Sequence, residues 1–310
     1  MFQIAKRETK PYRLFFKKFK NDWSMVFAAM LAFNLLIALL PIAVTLFGIL
    51  GLVIGNNTNL QEKIKEKIIN SFPNVTKEGL RQIIDLAFNQ LYRDAGIILG
   101  LGILFAIFGS SRLFIAIDRS MTIIYRLEER KTLKQNLLAL GMLFLFILLI
   151  LLMIGASSAP SFLLNIIPNA GGRFLSYIVG LLTGLVVSFI LFEVIYFIVP
   201  NKKMTFKETW CGSLLAAIAL QIFMILFPLY VRKFMTNYAG QIGFAIILLL
   251  FFYYFAVILI LGAQINSFFF EKFRAFPDGL GTFVSKLSEV YTSGEAGHAL
   301  NRRAIDDPYV

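Results

Sequence analysis

Long apolar runs, separated by short polar and mostly basic stretches, set the pattern of this chain. A helix needs about 20 largely apolar residues to cross a bilayer. Six segments reach that length, at 23–54, 95–117, 136–155, 174–199, 209–231 and 243–270. They are far longer than the roughly 10-residue strands of a membrane barrel. Backbone polar groups in lipid must bond internally, which favours helices. The pattern therefore predicts an all-α, polytopic integral membrane bundle of six transmembrane helices. The stretch after the basic residues 1–20 is too long for a signal-peptide core and shows no clear cleavage site, so it reads as a retained first helix.

The connections carry the orientation. Lys6, Arg7, Lys10, Arg13, Lys17, Lys18 and Lys20 precede the first run. Arg119, Arg126, Arg130, Lys131 and Lys134 mark the second connection, Lys202, Lys203 and Lys207 the fourth, and Lys272 and Arg274 the start of the tail. The third holds only Arg173, and the fifth Arg232 and Lys233. Cytoplasmic loops are enriched in Lys and Arg, so both ends fall in the cytoplasm. Three parts follow: a basic cytoplasmic segment 1–22, a six-helix domain 23–270, and a polar cytoplasmic tail 271–310.

The first connection, 55–94, mixes bases (Lys63, Lys65, Lys67, Lys77, Arg81, Arg93) with acids (Glu62, Glu66, Glu78, Asp85, Asp94). The agreement of the other connections places it outside. Leu80, Ile83, Ile84, Ala87 and Leu91 recur at helical spacing, and Leu60, Ile64 and Ile68 suggest a shorter helix before a turn at Phe72-Pro73-Asn74. This insertion either caps the bundle or lies on the membrane surface.

Composition sharpens the class. Of the 310 residues, 58% are hydrophobic and 15% charged, against about half and a quarter in soluble domains. The net charge of +12 sits beside apolar runs, so it is read as topology and contact with anionic headgroups rather than nucleic-acid binding. The lone Cys211 excludes an internal disulfide framework, and the lone His298 a histidine cluster. No phosphate loop, dinucleotide fingerprint, CxxC or HExxH occurs. The reading is a non-enzyme with no metal and no cofactor.

The candidates for substrate contact or gating are the polar groups inside apolar segments and the breaks within them. Arg112 follows Gly109-Ser110-Ser111 late in the second segment. A charge there either snorkels to headgroups, meets a substrate, or pairs with another ion. Glu193 is its natural partner and Asp118 a second. Asn34 is expected to bond across helices, and Pro41 to kink the first helix. Gln221, Gln264 and Asn266 are further amides within the apolar segments. Gly96 with Gly100, and Gly180 with Gly184, have the spacing of close helix contacts.

Several stretches together are similar to the YihY/virulence factor BrkB family, once called ribonuclease BN-like. They are AMLAFNLLIALLP at 29–41, GSSRLFIAIDRSMTIIY at 109–125, Pro200-Asn201, WCGSLLAA at 210–217, FPLY at 227–230, YAGQIG at 238–243 and LGAQIN at 261–266. The resemblance implies a six-helix bacterial inner-membrane protein suspected of transport or envelope roles. It marks Pro200, Asn201, Trp210, Gly212, Tyr230, Gly243 and Gly262 as structural positions. The chain departs from the family at Asn34-Leu35-Leu36 and at Phe251–Tyr254. The expected function is handling of an anionic small molecule or lipid along a polar seam through the first, second, fourth and sixth helices. The competing reading is a non-transporting envelope-assembly scaffold. Membrane lipids are the expected partners.

Overall fold

The predicted apolar runs all fold as helices. The computed structural model describes residues 10–54, 58–70, 77–91, 95–156, 170–234, 240–272, 276 and 279–292. They form α1 (Lys10–Asn21), α2 (Ser24–Ile54), α3 (Thr58–Asn70), α4 (Lys77–Leu91), α5 (Ala95–Ile124), α6 (Thr132–Ala156), α7 (Ala170–Ile198), α8 (Phe206–Phe234), α9 (Gly240–Phe269) and α10 (Leu280–Thr292). No strand occurs among the described residues. Three spans there are long and apolar enough to cross a membrane: Tyr177–Ile198, Phe206–Lys233 and Gly243–Phe269. A fourth is added when α1 and the first part of α2, bent by 53°, count as one. The Phe72–Asn74 turn, Tyr238, and the tail beyond 292 lie outside the described residues.

Helix α9 is the hub. It packs against α1, α2, α4, α5 and α8, while α7 backs α8 and α6 backs α5. Small residues let these helices approach. Ala28, Ala32, Ala216, Ala217, Ala256 and Ala263 are all buried among Leu31, Met121, Ile124, Phe192 and Ile260. In lipid, helices gain little from hiding apolar area, so such close packing carries much of the association.

The α8–α9 crossing shows why glycine stands in the stretches at 210–217 and 261–266. A Cβ on Gly212 would overlap the Gly262 carbonyl oxygen and the Asn266 side chain. A Cβ on Gly262 would overlap the Tyr196 hydroxyl and lie 2.9 Å from the Gly212 carbonyl oxygen. The expected contact at Gly100 is not made among the described residues: nothing there lies within 4 Å of a Cβ built on it. Gly184 does meet a neighbour, the Gln221 amide.

The two ends of the bundle differ. Phe15 of α1 packs edge-on against Phe268 and stacks on Phe269 at the end of α9. The Lys202 ammonium meets Glu271 at 2.7 Å, and the Asn21 amide donates to the Phe276 carbonyl at 2.7 Å. The N-terminal segment, the α5–α6 and α7–α8 connections and the start of the tail thus gather at one end, which is also where the basic residues cluster. At the start of α9, by contrast, Phe244 packs with Ile68 against Ile69 of α3 and Leu80 and Ile84 of α4. The apolar stripe in 55–94 is therefore a packing face, although Ile83 and Leu86 remain exposed. The Ala87 and Leu91 side chains lie outside the description.

Two elements were not expected. Residues 10–21 form a helix rather than a plain basic lead-in. The tail, after its break at Gly279 with φ of 86°, re-forms as α10. Gly281 there faces the Trp23 ring, where a Cβ would come within 2.7 Å.

Gly262→Ala should lower the melting midpoint in detergent, because forced overpacking costs about 1–3 kcal/mol. Gly100→Ala should leave it unchanged or slightly raised, since alanine favours helix by up to about 1 kcal/mol and meets no neighbour. Differential scanning of the two variants checks the contrast.

Candidate functional site: a buried polar network at the basic end

Local backbone geometry builds this end first. Trp23, Arg126 and Lys272 take positive φ of 57°, 52° and 57°. A residue in that region commonly closes a helix. At Arg126 the closure is a Schellman motif, with Leu127 N–H donating to Thr122 at 2.8 Å and Arg126 N–H to Ile123 at 3.3 Å. It sets the Arg126 guanidinium 4.6 Å above the Phe276 ring. Helix α8 starts with one half of a capping box: Thr205 N–H donates to the Glu208 carboxylate at 2.8 Å, while Glu208 N–H donates to the Thr205 backbone carbonyl at 2.9 Å.

Three buried clusters hang on these ends. In the first, Lys18 is 0% exposed and Asp22 1%. The Lys18 ammonium donates to Asp22 at 2.7 Å and to the Gln264 amide oxygen. Gln264 donates in turn to the Ser24 hydroxyl at 2.9 Å. Burial draws the Lys18 ammonium below the ordinary lysine value, and Asp22 pulls it back. This cluster ties α1 and the start of α2 to the hub helix.

In the second cluster, Glu193 of α7 accepts from two hydroxyls of α8, Thr209 and Ser213, the latter at 2.6 Å. The same turn of α8 is gripped by α9: Asn266 accepts from Gly212 N–H at 2.8 Å and donates to the Thr209 carbonyl at 3.1 Å. The Tyr196 hydroxyl donates to Leu259 at 2.7 Å and the Ser267 hydroxyl to Ile124 at 2.8 Å, extending the bonding across α7, α9 and α5.

In the third, buried Asp118 accepts from Gln135 at 2.8 Å and faces Arg130 at 3.8 Å. Arg130 also donates to the carbonyls of Val199 at 2.8 Å and Pro200 at 2.9 Å and to the Asn201 side chain at 3.2 Å. Asn201 donates back to the Glu128 carbonyl at 3.1 Å. Arginine suits this junction because its planar fork serves several acceptors at once.

The sequence candidates are thus distributed unevenly. Arg112 lies on the exposed face of α5 and makes no ion pair with Glu193 among the described residues. Glu193 takes hydroxyl partners instead, because Thr209 and Ser213 stand one turn apart on the adjacent helix. Asp118 is buried, and its cation is Arg130 rather than Arg112. Asn34 donates to Met30 in its own helix at 2.8 Å, with no bond across helices among the described residues. Pro41 lies within α2, and its side chain is outside the description. Gln264 and Asn266 sit at the centre of the network, Gly243 is buried, and Trp210 and Tyr230 are each 41% exposed. Lys18, Asp22, Gln135 and Arg130 were missed as site residues. The first and last were read only as topological charges, although Lys18 and Asp22 at i, i+4 carried a pairing signal.

Beside this network lies a narrow gap between apolar side chains, with room for about one or two water-sized molecules. Its walls are Leu31 and Leu35 of α2, Leu113, Phe114 and Ile117 of α5, Phe146 of α6, Ile195 of α7, and Phe255, Ala256 and Leu259 of α9. Neither Arg112 nor Glu193 lines it. Among the described residues no group of three or more His, Cys, Asp and Glu is placed to hold a metal ion.

A family model for virulence factor BrkB matches residues 15–279. The chain belongs to the virulence factor BrkB family. Curated relatives include a UPF0761 membrane protein of Rhodospirillum centenum, 24% identical over 81% of this chain and 55% of that protein. A ribonuclease-like protein, YfkH, of Bacillus subtilis is 30% identical over 56% of this chain and 66% of its own length. A UPF0761 membrane protein of Aliivibrio salmonicida is 23% identical over 91% of both chains. The match thus spans little more than half of the Rhodospirillum protein and about two thirds of YfkH. No solved structure matches. Within this BrkB-family chain, the matched region takes in all three buried clusters.

Lys18→Met or Asp22→Asn alone should destabilise the protein by about 3–5 kcal/mol, because each leaves a buried partner unpaired. The double variant Lys18→Met/Asp22→Leu should recover most of the loss. Melting midpoints of the three proteins in one detergent check this. Arg130→Ala should free the α7–α8 connection, so trypsin cleavage after Lys202 and Lys203 should accelerate while cleavage after Lys63 stays as before.

Proposed function

We propose that this BrkB-family chain is a bacterial inner-membrane protein of six spans, with its basic end in the cytoplasm, and that it handles an anionic lipid. The observation that supports the reading is an exposed cation, Arg112, next in sequence to Leu113 and Phe114, which line a narrow apolar gap that must widen to admit acyl chains. An amphiphile needs both surroundings: apolar walls for its chains and a cation near its headgroup. A small hydrophilic anion would need a polar path, and the gap offers no polar side chain. The gathering of the four basic segments at one end supports the six-span, both-ends-inside arrangement, since each adjacent pair is then joined by an even number of crossings.

The second reading is a scaffold that moves nothing. It draws on the polar side chains of the basic end, which bond mainly to one another. In this reading the network is a fastening rather than a route, and Glu193 holds α7 to α8.

The test uses the full chain in phosphatidylcholine vesicles carrying a fluorescent phosphatidylglycerol. Dithionite added outside bleaches only the outer leaflet. The proposal expects bleaching beyond that share, slowed by Arg112→Ala and by Leu35→Phe, which fills the gap. Bleaching confined to the outer leaflet, with no labelled lipid co-purifying, would leave the scaffold reading in its place.

A further inference from the structure

Helix α1 carries three interleaved stripes, each at i, i+4 and i+7, the spacing of one helix face. Residues 11, 15 and 18 make the first: Phe15 and Lys18 are buried against the bundle. Residues 12, 16 and 19 make the second, which is wholly aromatic: Tyr12 is 65% exposed, Phe16 69%, and Phe19 packs partly on the core. Residues 13, 17 and 20 make the third, which is wholly basic: Arg13, Lys17 and Lys20 are exposed and form no ion pair among the described residues.

The roll of the helix about its axis is fixed. Lys18 bonds to Gln264 and Asp22, and Phe15 is held by Phe268 and Phe269. With that face pinned, the aromatic stripe must point sideways from the end of the bundle, and the basic stripe lies on its far side. The outward surface of α2, the next helix, is apolar too: Met25, Val26, Phe33 and Ile37 are exposed. That surface belongs to a helix of a membrane-protein family, so the same lipid that covers it reaches α1 at the bend of 53°.

We infer that α1 is a binding element for acidic phospholipid, lying in the membrane interface with Tyr12 and Phe16 at the level of the upper acyl chains and Arg13, Lys17 and Lys20 on the phosphates. Aromatic side chains favour that level, and lysine and arginine extend from it toward headgroups. A basic residue near an anionic membrane surface contributes roughly fivefold in affinity, so three acting together contribute on the order of 100-fold. The site is separate from the apolar gap, and it stands or falls without any lipid being moved.

The full chain with Cys211→Ala provides a background for spin labels at Phe16→Cys or Lys17→Cys, in nanodiscs of phosphatidylcholine with and without phosphatidylglycerol. The label at 16 should collide with oxygen dissolved in the lipid and be shielded from an aqueous nickel chelate. The label at 17 should show the reverse. Added phosphatidylglycerol should deepen the label at 16, and Arg13→Gln/Lys17→Gln/Lys20→Gln should abolish that response, as should high salt. These side chains are exposed, so the replacements leave the buried contacts in place. Nickel access at 16 in both discs would overturn the inference, because the helix would then lie in water. Dipolar broadening that fades on dilution with unlabelled protein would also overturn it, by showing a second copy on the stripe. A full response to phosphatidylglycerol in the triple variant would do the same.

Discussion

A polar side chain inside an apolar bundle has no water to turn to. Each such group must find a partner within the protein or carry a penalty of several kcal/mol. That constraint organises this fold. The partners are found by concentrating polar residues at one end, where α1, α2, α5, α7, α8 and α9 come close enough to exchange bonds. Gln264 joins α1 and α2 to the hub, Asn266 joins the hub to α8, and Glu193 joins α8 to α7. Cutting one member leaves its partner stranded in the same apolar surroundings, which makes the network more fragile than its individual bonds suggest.

Close approach is the companion requirement. Asn266 reaches the backbone of α8 only because Gly212 and Gly262 let the two helices nearly touch. With a side chain at either position the helices would separate, and the amide would lose both its acceptor and its donor. Packing and polar bonding at this crossing are therefore one feature. The same logic explains the buried alanines along α2, α8 and α9.

The helical class was plain in the sequence because the apolar runs are long, and each run coincides with a helix. The site was legible by residue but not by partner. Gln264, Asn266, Glu193 and Asp118 stand out as polar groups in apolar surroundings, and that signal is local. Their partners lie as far away as Lys18, which is 246 positions from Gln264. No pattern along the chain records such a pairing. Charge type also misled. Lys18 counts as one more cytoplasmic base by composition, and only packing shows it to be the buried one among exposed neighbours. Arg112 was the opposite case: its sequence setting left snorkelling, substrate contact and ion pairing open, and it points outward. Helix α1 was overlooked because its bases were counted only as topological charges, although its aromatic and basic stripes follow helical spacing.

The apolar gap and the polar end make different demands on a ligand. A site for a small anion would leave donors free to receive it, yet Lys18, Arg130 and Lys202 donate to protein acceptors. Arg13, Lys17, Lys20 and Arg112 are among the bases that face outward on the exposed surface. In a membrane protein, that surface meets lipid and headgroups before anything else. The division of cations into an inner set that fastens the helices and an outer set that faces the bilayer follows from the burial constraint itself. An inner cation must be paired to be tolerated, and an outer cation can remain available for phosphate.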